Sequence, residues 1–578
     1  MWVLFSAWCL LLAMSLQAQQ VSKPDLNPAR VMRVETRLVV VDVVVTDGKG
    51  RPIEGLTRED FALKEAGKPQ EIAVFDWTQR AAALQPPAPL PAGVHTNEPA
   101  YHPPKEPVTL LLLDSLNTPL SNQSLMRIEL IRYLTSPGSA GRWMAVLALG
   151  SNLRVLQDFT TDRELLLAAA DRQNSQQSPQ FATRQLMTSK LKREELERMR
   201  EVFEACGCAE VVDNIEHLED EVLAQSDRDR MQLTLAALRA IALSLVGYPG
   251  RKNLVWLSAS FPTMYFGREK WSMDAELRET ARLLNDAQVA VYPVDPRGLV
   301  GGIEPESEQD FIRRVAGQRS ASGYDPNRVN PSVPNVKDEK YYLYQSQSAM
   351  KALADNSGGQ AFYNRNDIGE AVALALKDGS SYYTLGYYPT NGNWDGSFRQ
   401  IEVKLARSGL RVRYRRGYYA TLRPAPPPPL GTPSEGSQDE LRSAMYAPLP
   451  PTGVIFRAYV PPPEGGTTTR VEVEFRLRKD GLRLADLSDG GRDVNADFLV
   501  AAFSADGKPV NSAAKRIDRQ LTSENYERIG EEGFVLRMAL ELPAGEFQLR
   551  LLVRDNHTGL LGRVDIPLSL APAAPPTP

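Results

Sequence analysis

VTLLLLDSLNTP, residues 108–119, decides the fold. An apolar run from Val108 to Leu113 stops on Asp114, and small polar residues and Pro119 follow. A short apolar run bounded by turn chemistry reads as a strand buried on both faces, the habit of parallel sheets. Similar runs recur as WMAVLALG (143–150), LRVLQDF (153–159), NLVWLSAS (253–260), VAVYPVD (289–295) and GQAFYN (359–364). Helical periodicity fills the gaps, as in SLMRIELIRYL (124–134) and MQLTLAALRAIALSL (231–245). This alternation predicts a doubly wound, Rossmann-like α/β domain with a mostly parallel sheet over 106–380. Residues 172–225 interrupt it with a helical insertion, where one apolar stripe runs along a charged helix between 187 and 205. Packing onto its own domain is the plain reading of that stripe, and partner binding is the alternative.

Outside this block the chain is β-rich. RLVVVDVVVTDGKGRPI (37–53) and LTREDFALKEAGKPQEIAVFDW (56–77) predict a small β module over 31–80. Residues 381–421 alternate aromatic and polar positions around Asn-Gly, Asp-Gly and Ser-Gly, which predicts a hairpin extension. Its pairing with the 31–80 module would make the α/β domain an insertion. RVEVEFRLR (470–478) points Val471, Val473, Phe475 and Leu477 inward and Arg470, Glu472, Glu474 and Arg476 outward. With its neighbours it predicts an immunoglobulin-like β-sandwich over 450–571, without the tryptophan and disulfide of antibody domains. Proline-rich stretches at 81–105 and 422–449 read as linkers, and 572–578 as a disordered tail.

The 578 residues exceed one core and suggest about three or four domains. A formal charge of −4 without a basic block excludes a nucleic-acid footprint. Residues 1–18 form an apolar segment ending in Leu16-Gln17-Ala18, which predicts a signal peptide although it lacks an initial positive charge. An uncleaved anchor is the alternative, but the run is short for a span. The expected destination is therefore secreted or cell-envelope, periplasmic or extracellular, with no membrane insertion after removal of the leader. Beyond the leader only Cys206 and Cys208 remain, a pair that reads as incidental or locally bridged.

Strands 108–113, 253–257 and 289–294 deliver Asp114, Ala259 and Asp295 to the carboxyl end of the predicted sheet, where open α/β folds bind ligands. DSLNT (114–118) invites comparison with the DxSxS metal motif of von Willebrand factor A domains. The segments at 39–72, 110–119, 158–169, 253–262, 289–298 and 380–419 together resemble von Willebrand factor A-related proteins best known from acidobacteria. That resemblance implies an A-type fold, a secreted or envelope protein and no established enzymatic activity. Position by position, Asp114 matches the first aspartate, Thr118 the second hydroxyl and Thr160 the second-loop threonine. Leu116 and Ala259 stand where a hydroxyl and an aspartate belong, so the metal site is degenerate. One carboxylate is little for a hard cation that wants an oxygen cage, and no cofactor is expected beyond weakly held Mg²⁺.

The expected function is a non-enzymatic adhesion or interaction protein. Its partner, a protein or cell-surface ligand, would meet Asp114, Ser115, Asn117 and Asp295 at an exposed strand-end rim. Two alternatives stay open: a hydrolase using Asp114 or Asp295, and a periplasmic small-ligand binder. Against the hydrolase stands the lack of any nucleophile elbow, metallopeptidase or phosphate-loop motif.

Overall fold

A computed structural model describes residues 37–79, 88–98, 101, 108–172, 178–187, 190–261, 273–298, 339–365, 368–378, 381–421, 435–461, 468–479, 481–487, 490–529 and 533–570. The signal peptide expected at 1–18 and the disordered tail expected at 572–578 lie outside the described residues. Residues 1–38 form one unit, of which Arg37 and Leu38 are described, and Val39–Pro578 form the other. Among the described residues no helix is long and apolar enough to cross a membrane.

Four strands open the second unit: β1 (Val39–Thr46), β2 (Phe61–Glu65), β3 (Lys68–Gln70) and β4 (Val74–Gln79). Strand β5 (Val94–Thr96) follows, then the α/β domain. That domain runs β6 (Thr109–Asp114), α1 (Leu120–Thr135), β7 (Met144–Leu149), β8 (Leu153–Thr160), α2 (Arg163–Arg172), α3 (Pro179–Met187), α4 (Lys190–Ala205), α5 (Ala209–Leu245), β9 (Lys252–Leu257), α6 (Met273–Asp286), β10 (Val289–Val294), α7 (Glu339–Ser357) and α8 (Ile368–Asp378). Strands β11 (Ser381–Tyr387), β12 (Asp395–Leu405), β13 (Arg411–Arg413) and β14 (Gly417–Thr421) return to the first module. Helix α9 (Glu435–Tyr446) then leads to β15 (Arg457–Tyr459), β16 (Thr468–Leu477), β17 (Ala485–Asp486), β18 (Arg492–Ser504), β19 (Pro509–Leu521), α10 (Ser523–Arg528), β20 (Phe534–Pro543), β21 (Gly545–Asp555) and β22 (Leu561–Leu570).

The α/β sheet has the order β10-β9-β6-β7-β8. Strands β6, β7, β9 and β10 are parallel, and β8 is an antiparallel edge. All six residues of β6 are buried, because alternate side chains serve opposite layers. Leu110 and Leu112 pack with Leu235, Leu238 and Ile241 of α5, Leu284 of α6 and Met350 of α7. Leu111 and Leu113 pack with Met126 and Leu130 of α1, Ala169 of α2 and Val372 of α8. Helices on both faces are what a doubly wound sheet requires. Segment 359–364, expected as a sixth strand, makes one isolated bridge between Phe362 and Val294.

Strand β1 pairs antiparallel with β11, with Val41 opposite Leu385, and β12 pairs with β2. The segments flanking the α/β domain therefore build one module of two four-stranded sheets, β13-β1-β11-β4 and β14-β12-β2-β3. The boundary drawn between a 31–80 module and a separate 381–421 extension is corrected accordingly.

Both linker expectations are corrected as well. Strand β5, inside 81–105, pairs with β15 of the C-terminal region, with His95 opposite Ala458. Buried Asn97 fixes that seam, donating to Val454 O at 2.8 Å and accepting from Phe456 N–H at 3.0 Å. Helix α9, inside 422–449, buries Leu441 and Met445 against Phe503 and Leu552. The C-terminal region itself is two antiparallel sheets, β20-β16-β15-β5 and one built on β18, β21 and β22 with β19 beside β18. Val471, Val473, Phe475 and Leu477 enter its core as the alternation predicts. Glu474, expected outward and exposed, is buried between the side chains of Arg476 and Arg537.

Candidate functional site

Strands β6 and β9 end side by side, so the loop at 114–118 meets the loop at 258–261. The meeting is a seam rather than an opening. Asp114 is 0% exposed, as are Asn117 and Thr118, while Ser115 is 4% exposed. The expectation that Asp114, Ser115 and Asn117 present themselves to a partner on an exposed rim is corrected by that burial.

Four hydrogen bonds fill the Asp114 carboxylate. Asn117 N–H donates to Oδ1 at 3.0 Å, and Asn117 Nδ2 to Oδ2 at 2.8 Å. Trp256 Nε1 and the Ser258 hydroxyl reach Oδ2 at 2.9 and 2.8 Å. Three of these donors crowd Oδ2 and one reaches Oδ1, and the wholly buried carboxyl offers no approach from solvent. Burial pushes the Asp114 carboxyl above the ordinary range, against the downward pull of Asn117, Ser258 and Trp256. Two more bonds stitch the loops: Ala259 N–H donates to Thr118 Oγ1 at 3.1 Å, and Ser260 Oγ to Asn117 O at 3.0 Å. Ser115 Oγ turns back to Leu149 O at 2.8 Å.

Behind this seam lies a cation that the sequence did not reveal. Arg230 of α5 is fully buried and gives Nε and Nη2 to Asn117 Oδ1, at 3.1 and 2.9 Å. Its Nη1 pairs with buried Asp227 at 3.0 Å, and its plane lies over Phe181 of α3 at 4.6 Å. Asn117 also donates to Thr234 Oγ1 at 2.8 Å. Asn117 thus bridges the anion at the strand end to the cation on the helix. In sequence Arg230 is one charge in SDRDR, and only its helical spacing from Leu223 and Thr234 hints at burial.

The three metal candidates do not converge. Thr160 ends β8 opposite Met144, at the start of β7, whereas Asp114 lies opposite Leu149 at its end. Five residues of strand separate them along the sheet, about 16 Å. Thr160 Oγ1 instead accepts Asp162 N–H at 3.0 Å. Asp114 is buried behind four donors, Thr118 Oγ1 is buried and accepts Ala259 N–H, and Leu116 and Ala259 supply no side-chain oxygen. These residues do not fit a divalent cation, and the metal assignment to Asp114, Thr118 and Thr160 is withdrawn. Among the described residues no three His, Cys, Asp or Glu side chains gather elsewhere into a metal-binding group.

Asp295 ends β10, two strands from β6 and so about 10 Å across the sheet. It is 3% exposed and clamped by Arg297, with Nε at 2.9 Å from Oδ1 and Nη2 at 2.7 Å from Oδ2. Its partner-binding role is corrected on the same ground as that of Asp114. Asn556-His557-Thr558 has the form of a glycosylation sequon, but Asn556 is buried and its amide donates to Asn495 Oδ1 at 2.7 Å.

No family model and no curated protein matches this chain. Among solved structures, the manganese-loaded TRAP protein of Plasmodium vivax is 13% identical, aligned over 56% of this chain and 94% of that one, with a TM-score of 0.20. A von Willebrand factor type A protein from Catenulispora acidiphila is 8% identical over 89% and 76%, also with a TM-score of 0.20. Neither superposition is close. The chain's own geometry carries the functional reading.

That geometry moves attention from the strand ends to the helical insertion. Helix α5 has 37 residues, about 55 Å, and its second half lies on the sheet. The first half carries Val211, Leu218 and Val222 at 42%, 60% and 45% exposure. With half-buried Ile215 they recur at spacings of four, three and four, one stripe along the helix. Val212, Glu219 and Leu223 are buried on another face. Residues 209–225 hold Glu210, Asp213, Glu216, Glu219, Asp220 and Glu221, and no Lys or Arg. Arg200 of α4 pairs with Glu216 at 2.9 Å and Asp213 at 3.5 Å, leaving the stripe in a net acidic field.

Proposed function

We propose that the chain is an exported, non-catalytic interaction protein whose partner-binding surface is the acidic, apolar-striped half of α5. The observation that carries this is the exposed series Val211, Leu218 and Val222 on a helix segment rich in carboxylates. Its chemistry fits one occupant, a basic amphipathic helix laying its apolar side on the stripe and its Lys or Arg against the acids. The internal bonding of Asp114 and Asp295 supports a structural rather than acid–base role for both, since both carboxyls are shielded from solvent and held by neighbours. The N-terminal apolar segment supports export, and a mature chain beginning after Ala18 in the secreting host is the expected outcome.

The test is titration of the full chain with a labelled Leu/Lys peptide of amphipathic helical spacing, and with its Leu/Glu counterpart. The basic peptide should bind, weaken with salt, and lose roughly tenfold or more in affinity to Leu218→Glu/Val222→Glu. Thermal unfolding of that variant should be unchanged. Equal binding of the two peptides, or undiminished binding by the variant, would remove the assignment. Concentration-dependent dimerisation abolished by the same variant would show instead that the stripe meets a second copy.

A further inference from the structure

The tip of the helical insertion carries chemistry that partner binding along α5 does not use. Helices α4 and α5 meet at Cys206-Gly207-Cys208, and both cysteines are exposed free thiols. Backbone bonds fix the turn, from Gly207 N–H to Glu204 O at 3.1 Å and from Cys208 N–H to Phe203 O at 2.8 Å. Gly207 sits at φ 73°, a left-handed conformation that a residue without a Cβ adopts freely. Within that turn Cys206 Sγ donates to Phe203 O at 3.2 Å, and Cys208 Sγ reaches back to Cys206 O at 3.5 Å. Cys208 precedes the first residue of the 37-residue α5, and its hydrogen bond to Cys206 holds its thiol above the ordinary range, which suits it to the resolving rather than the attacking role. Val202 and Val211, each one turn from a thiol, are 66% and 42% exposed.

We propose that Cys206 and Cys208 form a thiol–disulfide exchange site acting on disulfides held in extended, apolar polypeptide segments. Cys206 gives its proton to water, and its thiolate attacks one sulfur of the substrate disulfide. That S–S bond breaks, and the other substrate sulfur leaves as a thiolate that takes a proton from water. Cys208 gives its proton to water and attacks Cys206 Sγ. The Cys206–Cys208 bond forms, the mixed disulfide breaks, and the remaining substrate sulfur leaves and is protonated. Two electrons and two protons have then passed from the cysteine pair to the substrate. A ring closed across one residue is strained, so the oxidised form returns its disulfide readily to a substrate dithiol. The valines supply the apolar contact that favours an unfolded segment over a small hydrophilic disulfide.

Trypsin cleavage after Arg200 and Arg228 releases one peptide, 201–228, that holds both cysteines. The full chain is equilibrated in reduced and oxidised glutathione, quenched in acid, alkylated and digested. The peptide should interconvert between the dithiol and a ring lighter by two hydrogens, with little glutathione adduct. Cys208→Ser should raise the adduct on Cys206 about tenfold, because no resolving thiol remains. Two independent adducts per chain, or chain-to-chain disulfides in place of the ring, would overturn the site. Val202→Ser/Val211→Ser should slow reduction of a disulfide-bridged apolar peptide at least about threefold while leaving glutathione disulfide unaffected. Equal slowing of both would overturn the substrate class.

Discussion

Arg230 holds Asn117 Oδ1 with two of its nitrogens, at 3.1 and 2.9 Å, and so locks the long helix to the loop that ends the first parallel strand. Asn117 passes the contact on to Asp114, and Arg230 closes the other side on Asp227. The strand-end face is therefore held shut by side chains of the same chain.

Replacing Arg230 with Met removes a buried cation and strands Asp227, which is 3% exposed. We expect Arg230→Met to cost about 3–5 kcal/mol in urea unfolding. Adding Asp227→Asn should recover part of that loss, because the uncompensated buried charge goes with it. If the double variant is no more stable than the single one, Asp227 is not the residue left stranded.

Asp114→Ala takes the acceptor from Trp256 Nε1 and Asn117 N–H and removes one of the two acceptors of Ser258 Oγ and Asn117 Nδ2. The expected cost is about 3 kcal/mol or more. Asp114→Asn keeps one oxygen for the shared Oδ2 donors and should cost less. Mg²⁺, Mn²⁺ or EDTA should leave the melting temperature of the native chain unmoved, whereas a cation at about 100 times its dissociation constant would add roughly 2.7 kcal/mol. A metal-dependent rise lost in Asp114→Ala would restore the cation site.

Much of this was legible in sequence. The run from Val108 to Leu113 announces a buried parallel strand, and the four-residue walk to Thr118 places that loop correctly. Thr160 went astray because periodicity does not give strand direction. The sign was there: Leu149 and Leu153 are separated by only three residues, and a parallel crossover needs a dozen or more. Strand β5 was hidden for a different reason. Its partner lies about 360 positions away, so nothing local distinguishes Val94–Thr96 from the prolines around it. Arg230 shows in sequence only through its helical spacing from Leu223 and Thr234, since its burial depends on a neighbour donated by another element.

Lys252, at the foot of β9, is 1% exposed and donates to Tyr248 O at 2.6 Å. Burial pushes its ammonium down from 10.5 to about 7, against the upward pull of Asp42. Between those values the unfolded chain holds a proton that the folded chain has released, so stability from this group rises with pH. It is lost as pH falls from 10.5 to about 7 and changes no further below. Lys252→Met should flatten the rise in urea midpoint between pH 7 and 9. An equal slope in both proteins would refute the shift.

Asn97→Ala deletes both bonds that pin β5 to Val454 and Phe456. We expect a loss of about 2 kcal/mol, seen as earlier hydrogen exchange at Ala458 and Tyr459. Exchange unchanged at those amides would mean that β5 is held by the strand ladder alone.

The seam between β5 and β15 also sets what can be cut out of this chain. Excised at residue 450, the C-terminal sandwich would carry a bare edge along Arg457–Tyr459, where its own polypeptide normally supplies the missing strand. Unpaired backbone of that kind templates association with another molecule. The sandwich is therefore no portable cassette, and recombination at the proline-rich boundary would transplant an aggregation-prone fragment unless residues 94–97 travelled with it.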